Sequence, residues 1–352
     1  MTQDQILDAL RTVKYPGFSR DIVSFGLVKG VSLSGGEVHV KIGLQTRDPE
    51  LPRRIHAEAS AALESLPGVT RAVLDFDIKE PPTAQGPSGP LMKQSIDGVK
   101  KIIAVASGKG GVGKSTVAAN LAAALAATGA RVGLCDCDLY GPSMSLMFGT
   151  DERPLATEDH EIIPIERYGI KLMGMGFLLD DSSPVIVRGP LATRYIQQFL
   201  RQVLWGDLDY LVLDLPPGTG DIQLTIVQTV ALDGVIIVTT PQEVALIDAR
   251  KAISMFAKVN APIIGLVENM SWFQPPGHAE KYYLFGQGGG RREAEKLGVP
   301  LLAEIPIDIP TRESGDAGRP VAFTPPEQNA VSAAFHALAQ KTAAIAQGAA
   351  VR

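Results

Sequence analysis

Nine residues, Gly108-Lys109-Gly110-Gly111-Val112-Gly113-Lys114-Ser115-Thr116, limit what this chain can fold into more than any other segment. They stand between the apolar run Ile102-Ile103-Ala104-Val105-Ala106 and an alanine- and leucine-rich stretch from Thr116 to Ala127. The run has the character of a buried strand and the stretch reads as a helix, so the glycines must turn a strand into a helix. The spacing Gly-x-x-x-x-Gly-Lys-Ser is that of a phosphate-binding loop. Its glycines let successive backbone N–H groups converge on an anion. Lys114 supplies a point charge at the β/γ positions, the Ser115 hydroxyl can sit on Mg²⁺, and the helix N-terminus faces the negative charge. Gly108, Gly110, Gly111, Val112, Gly113, Lys114, Ser115 and Thr116 are therefore the candidate residues of an ATP or GTP site. The additional Lys109 stands too early in the loop to hold its own subunit's β/γ-phosphates as Lys114 does. Its expected job is to reach the nucleotide of another subunit, as a finger in trans does. Dimerisation would then be part of catalysis.

Around this loop the chain changes pattern twice. Gln3–Val13 and Glu50–Leu66 read as helices and Ile22–Leu33, Glu37–Leu44 and Val69–Ile78 as strands, a small α+β unit over residues 1–80. Residues 81–97, with Pro81-Pro82, Gly86-Pro87 and Gly89-Pro90, read as an extended linker. From residue 98 to 352, apolar strands (Arg131–Cys137, Ile170–Met173, Tyr210–Leu215, Gly234–Thr239, Ile263–Val267) alternate with helix-length segments. That alternation predicts an α/β fold with a mostly parallel sheet covered on both faces and a ligand at the carboxyl ends of the strands. Gln328–Ala346 reads as a last helix, with Ala330, Ala333, Ala334, Leu338 and Ile345 available for packing.

Two acidic elements fit the chemistry. Asp136 and Asp138 follow the strand Gly133-Leu134-Cys135; one can support Mg²⁺ through water and one can orient the attacking water, for which Asp138 is the candidate. Tyr210-Leu211-Val212-Leu213-Asp214 is an apolar run ending in an acid, the form of a Walker-B strand. It places Asp214 near Mg²⁺ through water, and it places Gly218, in Pro216-Pro217-Gly218-Thr219-Gly220-Asp221, where its N–H can sense the γ-phosphate. Lys109, Lys114, Asp138 and Asp214 are the candidate catalytic residues, and Ser115 and Asp214 the candidate Mg²⁺ residues.

In these motifs the chain resembles the deviant-Walker-A P-loop ATPases and, within them, the Mrp/ApbC family of iron–sulfur cluster carriers. The likeness runs from about Lys100 to Glu327. It is carried by Gly108–Thr116, Asp138-Leu139-Tyr140-Gly141-Pro142-Ser143, Arg188-Gly189-Pro190, Leu208-Asp209-Tyr210, Asp214–Asp221, Thr240-Pro241-Gln242-Glu243-Val244-Ala245-Leu246 and Glu268-Asn269-Met270-Ser271. The N-terminal unit is similar to the small domain shared with SufT-type assembly factors. The resemblance implies an Mg²⁺-dependent ATPase in iron–sulfur cluster assembly or transfer to apoproteins. It implies a homodimer with nucleotide near the interface and Lys109 acting across it. It also implies Asn269 as an adenine contact and Pro306–Pro310 as lining of the base pocket.

Carriers of this family usually present a Cys-x-x-Cys pair after the Asn-Met-Ser phrase, so that a dimer offers four thiolates to a [4Fe–4S] cluster. Here the segment reads Ser271-Trp272-Phe273-Gln274-Pro275-Pro276-Gly277-His278-Ala279-Glu280-Lys281-Tyr282-Tyr283, without cysteine. The chain's two cysteines, Cys135 and Cys137, are expected to be buried and inert, and His278 to be a solvated side chain. Trp272, Phe273, Tyr282 and Tyr283 suggest a packed contact or a client-docking surface. A formal charge of −5 without a basic stripe speaks against nucleic acid. No apolar run approaches a bilayer span and no secretory signal opens the chain, so the cytoplasm is expected. A spatial-positioning ATPase of the MinD/ParA type is one alternative, although it would want a basic amphipathic tail. A cluster-free regulatory ATPase that binds a partner through the N-terminal unit is another.

Overall fold

The computed structural model describes residues 2–13, 21–24, 26–45, 50–79, 95–159, 161–178 and 189–348. The chain divides into two compact units, residues 1–90 and 91–352. Most of the expected linker, 81–94, lies outside the described residues, as does Arg188. Ile96, at the linker's expected end, is instead buried in the second unit, and its carbonyl accepts the Val99 N–H at 3.0 Å.

The first unit is a three-stranded sheet carrying two helices, α1 (Gln3–Leu10) and α2 (Glu50–Glu64). Strand β1 (Val28–Ser34) pairs antiparallel with β2 (Glu37–Gln45), and β2 pairs parallel with β3 (Arg71–Lys79) across the α2 crossover. Gly35 and Gly36, at φ 60° and 90°, make the tight β1–β2 turn, which requires positive φ at both positions. Val38, Val40, Ile42 and Leu44 alternate inward along β2 onto Ile6, Leu10, Ile55 and Leu63. The strand expected from Ile22 starts only at Val28. Ile22 is fully buried in this core and donates its N–H to the Val13 carbonyl instead.

The second unit is built on an eight-stranded sheet. In chain order its elements are β4 (Val99–Ser107), α3 (Lys114–Ala127), β5 (Val132–Asp136), α4 (Met144–Phe148), the short pair β6 (Leu155–Ala156) and β7 (Ile162–Ile163), β8 (Ile165–Arg167), β9 (Ile170–Gly174), α5 (Gly189–Arg201), β10 (Leu208–Asp214), α6 (Asp221–Thr229), β11 (Gly234–Thr239), α7 (Glu243–Lys258), β12 (Ile263–Phe273), α8 (Gly289–Leu297), β13 (Leu301–Ile307), α9 (Ile309–Asp316) and α10 (Ala330–Ala346). Strand order is β13-β12-β11-β4-β10-β5-β9-β8, with every neighbour parallel except the edge hairpin β8–β9. The central strands are apolar throughout because both faces are covered. Ile103, Val105 and Val212 pack with α3 and α10 on one face. Ile102, Ala104, Leu211 and Leu213 pack with α5, α6 and α7 on the other.

Three elements depart from the sequence expectations. Strand β12 does not stop at Val267 but runs through the polar Asn-Met-Ser phrase to Phe273, which pairs with Ile307 and Tyr282. Strand β13 was not anticipated. The last helix buries Val331, Phe335, Leu338, Ala339, Thr342 and Ala346. Of the residues expected to pack, only Leu338 is fully buried, while Ala330 is exposed. In so alanine-rich a helix the small residues mark no stripe, and the larger Val331 and Phe335 choose the buried face.

Candidate nucleotide site

The carboxyl ends of β4, β5, β10 and β12 converge on the glycine loop. Gly111 and Gly113 both sit at φ 80°, in the left-handed region where glycine is at home. A side chain at Gly108 would collide with the Asp248 carbonyl, and one at Gly113 with Asn269 Nδ2. Helix α3 starts at Gly113 with no side-chain cap, which leaves its first N–H groups for an anion. Ser115 and Thr116, in its first turn, are half-buried.

Lys114 is 6% exposed, and its Nζ donates to Asp214 Oδ1 at 2.5 Å and to Ser115 Oγ at 3.3 Å. Asp138 Oδ2 lies 3.9 Å from the same nitrogen, so Asp138 and Asp214 bracket the lysine. Asp214 is wholly buried; burial pushes its carboxyl up against the pull of the Lys114 ammonium. Its Oδ2 has no partner among the described residues, which makes it a fitting acceptor for a water held by Mg²⁺.

Asp136 does something the sequence did not reveal. One oxygen accepts the Asp138 N–H at 3.0 Å and the other accepts the N–H groups of Ser143 (2.9 Å) and Met144 (3.3 Å). Asp136 therefore folds the loop 138–144 around itself with both carboxylate oxygens, a role not contained in the reading of the pair as one carboxylate for Mg²⁺ through water and one, Asp138, for the attacking water. Burial first, and the Asp214 charge second, push its carboxyl up to about 7.

Gly218 stands in the turn that follows Asp214. Its N–H donates to the Ser107 carbonyl at 3.0 Å, so meeting a γ-phosphate requires this turn to exchange partners. Lys109 is half-exposed, and neither an ion pair nor a side-chain hydrogen bond is recorded for it among the described residues.

Beside the loop opens a cavity of about 420 Å³, lined by Gly113, Thr116, Asn120, Asn269 and Pro306–Asp308, together with Leu146 and Met147 of α4 and Thr311 and Arg312 of α9. Its size suits a nucleoside. Asn269 is 7% exposed and donates Nδ2 to the Val112 carbonyl at 2.9 Å, which leaves its Oδ1 as an acceptor. Of the expected 306–310 lining, Ile309 and Pro310 do not take part. Asn120 was missed from sequence; it bonds the Thr116 carbonyl and the Ala322 N–H, and a lone asparagine in an alanine-rich helix was its only signal.

Cys135 and Cys137 are fully buried, with their Sγ atoms 3.8 Å apart. The hydrogen bond with the neighbouring Cys135 thiol first, and burial second, push Cys137 well above the ordinary thiol range. His278 is exposed, and no group of three or more metal-ligating side chains occurs among the described residues. The aromatic segment is ordered by the Phe273–Tyr282 bridge and by Lys281 lying 4.0 Å over the Trp272 ring.

A family described as NUBPL iron-transfer P-loop NTPase matches residues 98–343, and one described as iron-sulfur cluster assembly protein matches residues 3–74. The chain is 43% identical over 348 residues to an iron-sulfur cluster carrier protein of Synechocystis, covering 97% of each. It is 45% identical over 331 residues to one of Deinococcus radiodurans, covering 94% of this chain and 92% of that one. Among solved structures, a nucleotide-binding protein of Archaeoglobus fulgidus in complex with ADP is 40% identical, covers 65% of this chain and 91% of its own, and superposes with a TM-score of 0.59. The cell division ATPase MinD of Pyrococcus furiosus is 25% identical, covers 70% of this chain and 99% of its own, and gives a TM-score of 0.54.

Proposed function

The chain belongs to the family of NUBPL iron-transfer P-loop NTPases, and from that premise we propose that it is a homodimeric, Mg²⁺-dependent ATPase that assists iron–sulfur cluster assembly or transfer to apoproteins. The observation that carries the catalytic part is the buried Lys114 held between Asp214 and Asp138 at the open N-terminus of α3. Lys114 would turn from Asp214 to the β/γ-phosphates. The Ser115 hydroxyl and, through water, the unpartnered Asp214 Oδ2 would hold Mg²⁺, which when bound neutralises charge between those phosphates. Asp138, 13% exposed, would orient the attacking water. Asn269 would accept from the adenine amine, and Lys109 would reach the partner's nucleotide.

The cluster is cargo in this reading. The chain's two cysteines are both buried under the sheet, so thiolates from the client or from an assembly factor would hold it. A positioning role of the MinD type is less well supported, because α10 buries Val331, Phe335 and Leu338 in the core instead of offering a detached amphipathic face. No helix among the described residues is long and apolar enough to cross a membrane. The test is to follow activation of an apo [4Fe–4S] hydro-lyase by a reconstituted donor, with and without this protein and Mg·ATP. Faster activation that needs both is expected; equal rates in all arms would overturn the assignment.

A further inference from the structure

Gln223, near the start of α6, is 1% exposed and donates Nε2 to the Pro216 carbonyl at 2.5 Å, while its Oε1 is buried without a partner among the described residues. A glutamine at the third position of a helix ordinarily reaches back to the N-cap amide. This one passes over Gly220, which has no side-chain cap, and ties down a residue seven positions earlier.

The reason lies in the loop it holds. Pro216 and Pro217 have no N–H, so they cannot anchor the segment after Asp214 by donating backbone hydrogen bonds. Among the described residues the segment is tied by the Leu215 N–H to the Val105 carbonyl, by the Gly218 N–H to the Ser107 carbonyl and by Gln223. The Gly218 tie must break if that amide is to meet a γ-phosphate, and Gly218, at φ 95°, has the backbone freedom to do so. Gln223 then remains as the side-chain tether of the turn. Its second polar atom, Oε1, stands in the turn as a buried acceptor.

We propose that Gln223 is a positioning residue for the triphosphate: by holding the Pro216 carbonyl it lets the 216–220 turn swing its Gly218 N–H from Ser107 to the γ-phosphate without losing its place. The inference rests on the P-loop NTPase reading of the site. It separates recognition of a triphosphate from recognition of a diphosphate, because only the former engages Gly218.

The test uses the full chain with Gln223→Met, which keeps length and volume, and Gln223→Glu, which keeps the acceptor and removes the donor when ionised. Both should lower kcat by roughly ten- to a hundredfold with ADP affinity within about threefold of the parent. Both should also lose the parent's preference for a non-hydrolysable ATP analogue over ADP. A purely structural role would lower Tm and weaken both nucleotides together. The proposal is overturned if folded Gln223→Met keeps kcat and the analogue-to-ADP preference within about twofold of the parent. If that variant does not fold, Gln223→Glu decides by the same two readouts. A parent with no ATP hydrolysis would count against the ATPase reading, and the binding preference would still judge Gln223.

Discussion

Lys114 and Asp214 stand 100 residues apart in the chain and meet in a single ion pair, Nζ to Oδ1 at 2.5 Å, with 6% and 0% of their side chains exposed. The pair holds the Lys114 side chain inside the site. Lys114→Ala should therefore act twice. ATP hydrolysis should fall to background, and the uncompensated Asp214 should cost stability of about 3 kcal/mol, the low end for breaking a buried pair, because the carboxyl can take up a proton. Urea unfolding and phosphate release check the two effects; full hydrolysis in this variant would refute the assignment of the loop.

Lys109 is separable from Lys114. If it acts across the dimer, Lys109→Ala should keep most nucleotide binding and lose hydrolysis on the order of 10³-fold. Mixing it with Asp138→Ala protein restores one site per heterodimer, which joins an intact Asp138 to the partner's intact Lys109. Activity that stays absent in verified heterodimers would place Lys109 in cis.

For the base pocket, Asn269→Ala should weaken ADP by roughly tenfold, the worth of about one hydrogen bond. Pyrophosphate, which has no base, should lose much less. Equal losses measured by calorimetry would mean that Asn269 acts only through its bond to Val112.

The buried cysteines give a prediction about iron. Cys135→Ala/Cys137→Ala should leave ATPase activity within a few-fold of the parent, and neither protein should hold a stoichiometric cluster after anaerobic reconstitution with iron and sulfide. Near four irons per dimer, lost in the double variant, would return the cluster to this chain.

A pH prediction comes from the base of the sheet. Asp209 accepts from Lys100 Nζ at 2.8 Å and from the Arg131 N–H at 2.9 Å, and these partners hold its carboxyl well below the usual range. A carboxyl depressed in the folded state contributes stability above its unfolded pKa and loses that contribution as the pH falls. Asp209→Asn should cost about 1 kcal/mol at pH 7, with the difference from the parent shrinking below about pH 4. Urea midpoints at pH 7 and pH 3 provide the comparison; a constant difference would mean that the effect is not ionic.

Much of this molecule was legible in order along the chain. The glycine loop between an apolar run and an alanine-rich helix required a strand–turn–helix, and the recurring apolar runs required a parallel sheet covered on both faces. Cys135 and Cys137 were expected in the interior because they end such a run, and they lie there. Signals of this kind are local: positive φ belongs to a residue, and periodicity belongs to a window of neighbours.

Tertiary structure decided the rest. That Asp136 anchors a loop while Asp138 faces Lys114 depends on which backbone amides fold back onto β5, and two acids two residues apart look alike in sequence. The buried face of α10 depended on where Val331 and Phe335 found space, and the continuation of β12 to Phe273 on partners in β13 and at Tyr282. Asn269 reaches Val112 across 157 positions and Gln223 reaches Pro216 across a turn of prolines. The sequence determined which residues could bind phosphate, because backbone freedom and charge are properties of single residues. Only the folded chain determined which polar groups face the ligand and which hold those groups in place, because a polar side chain takes its role from the partner that burial leaves within hydrogen-bonding reach.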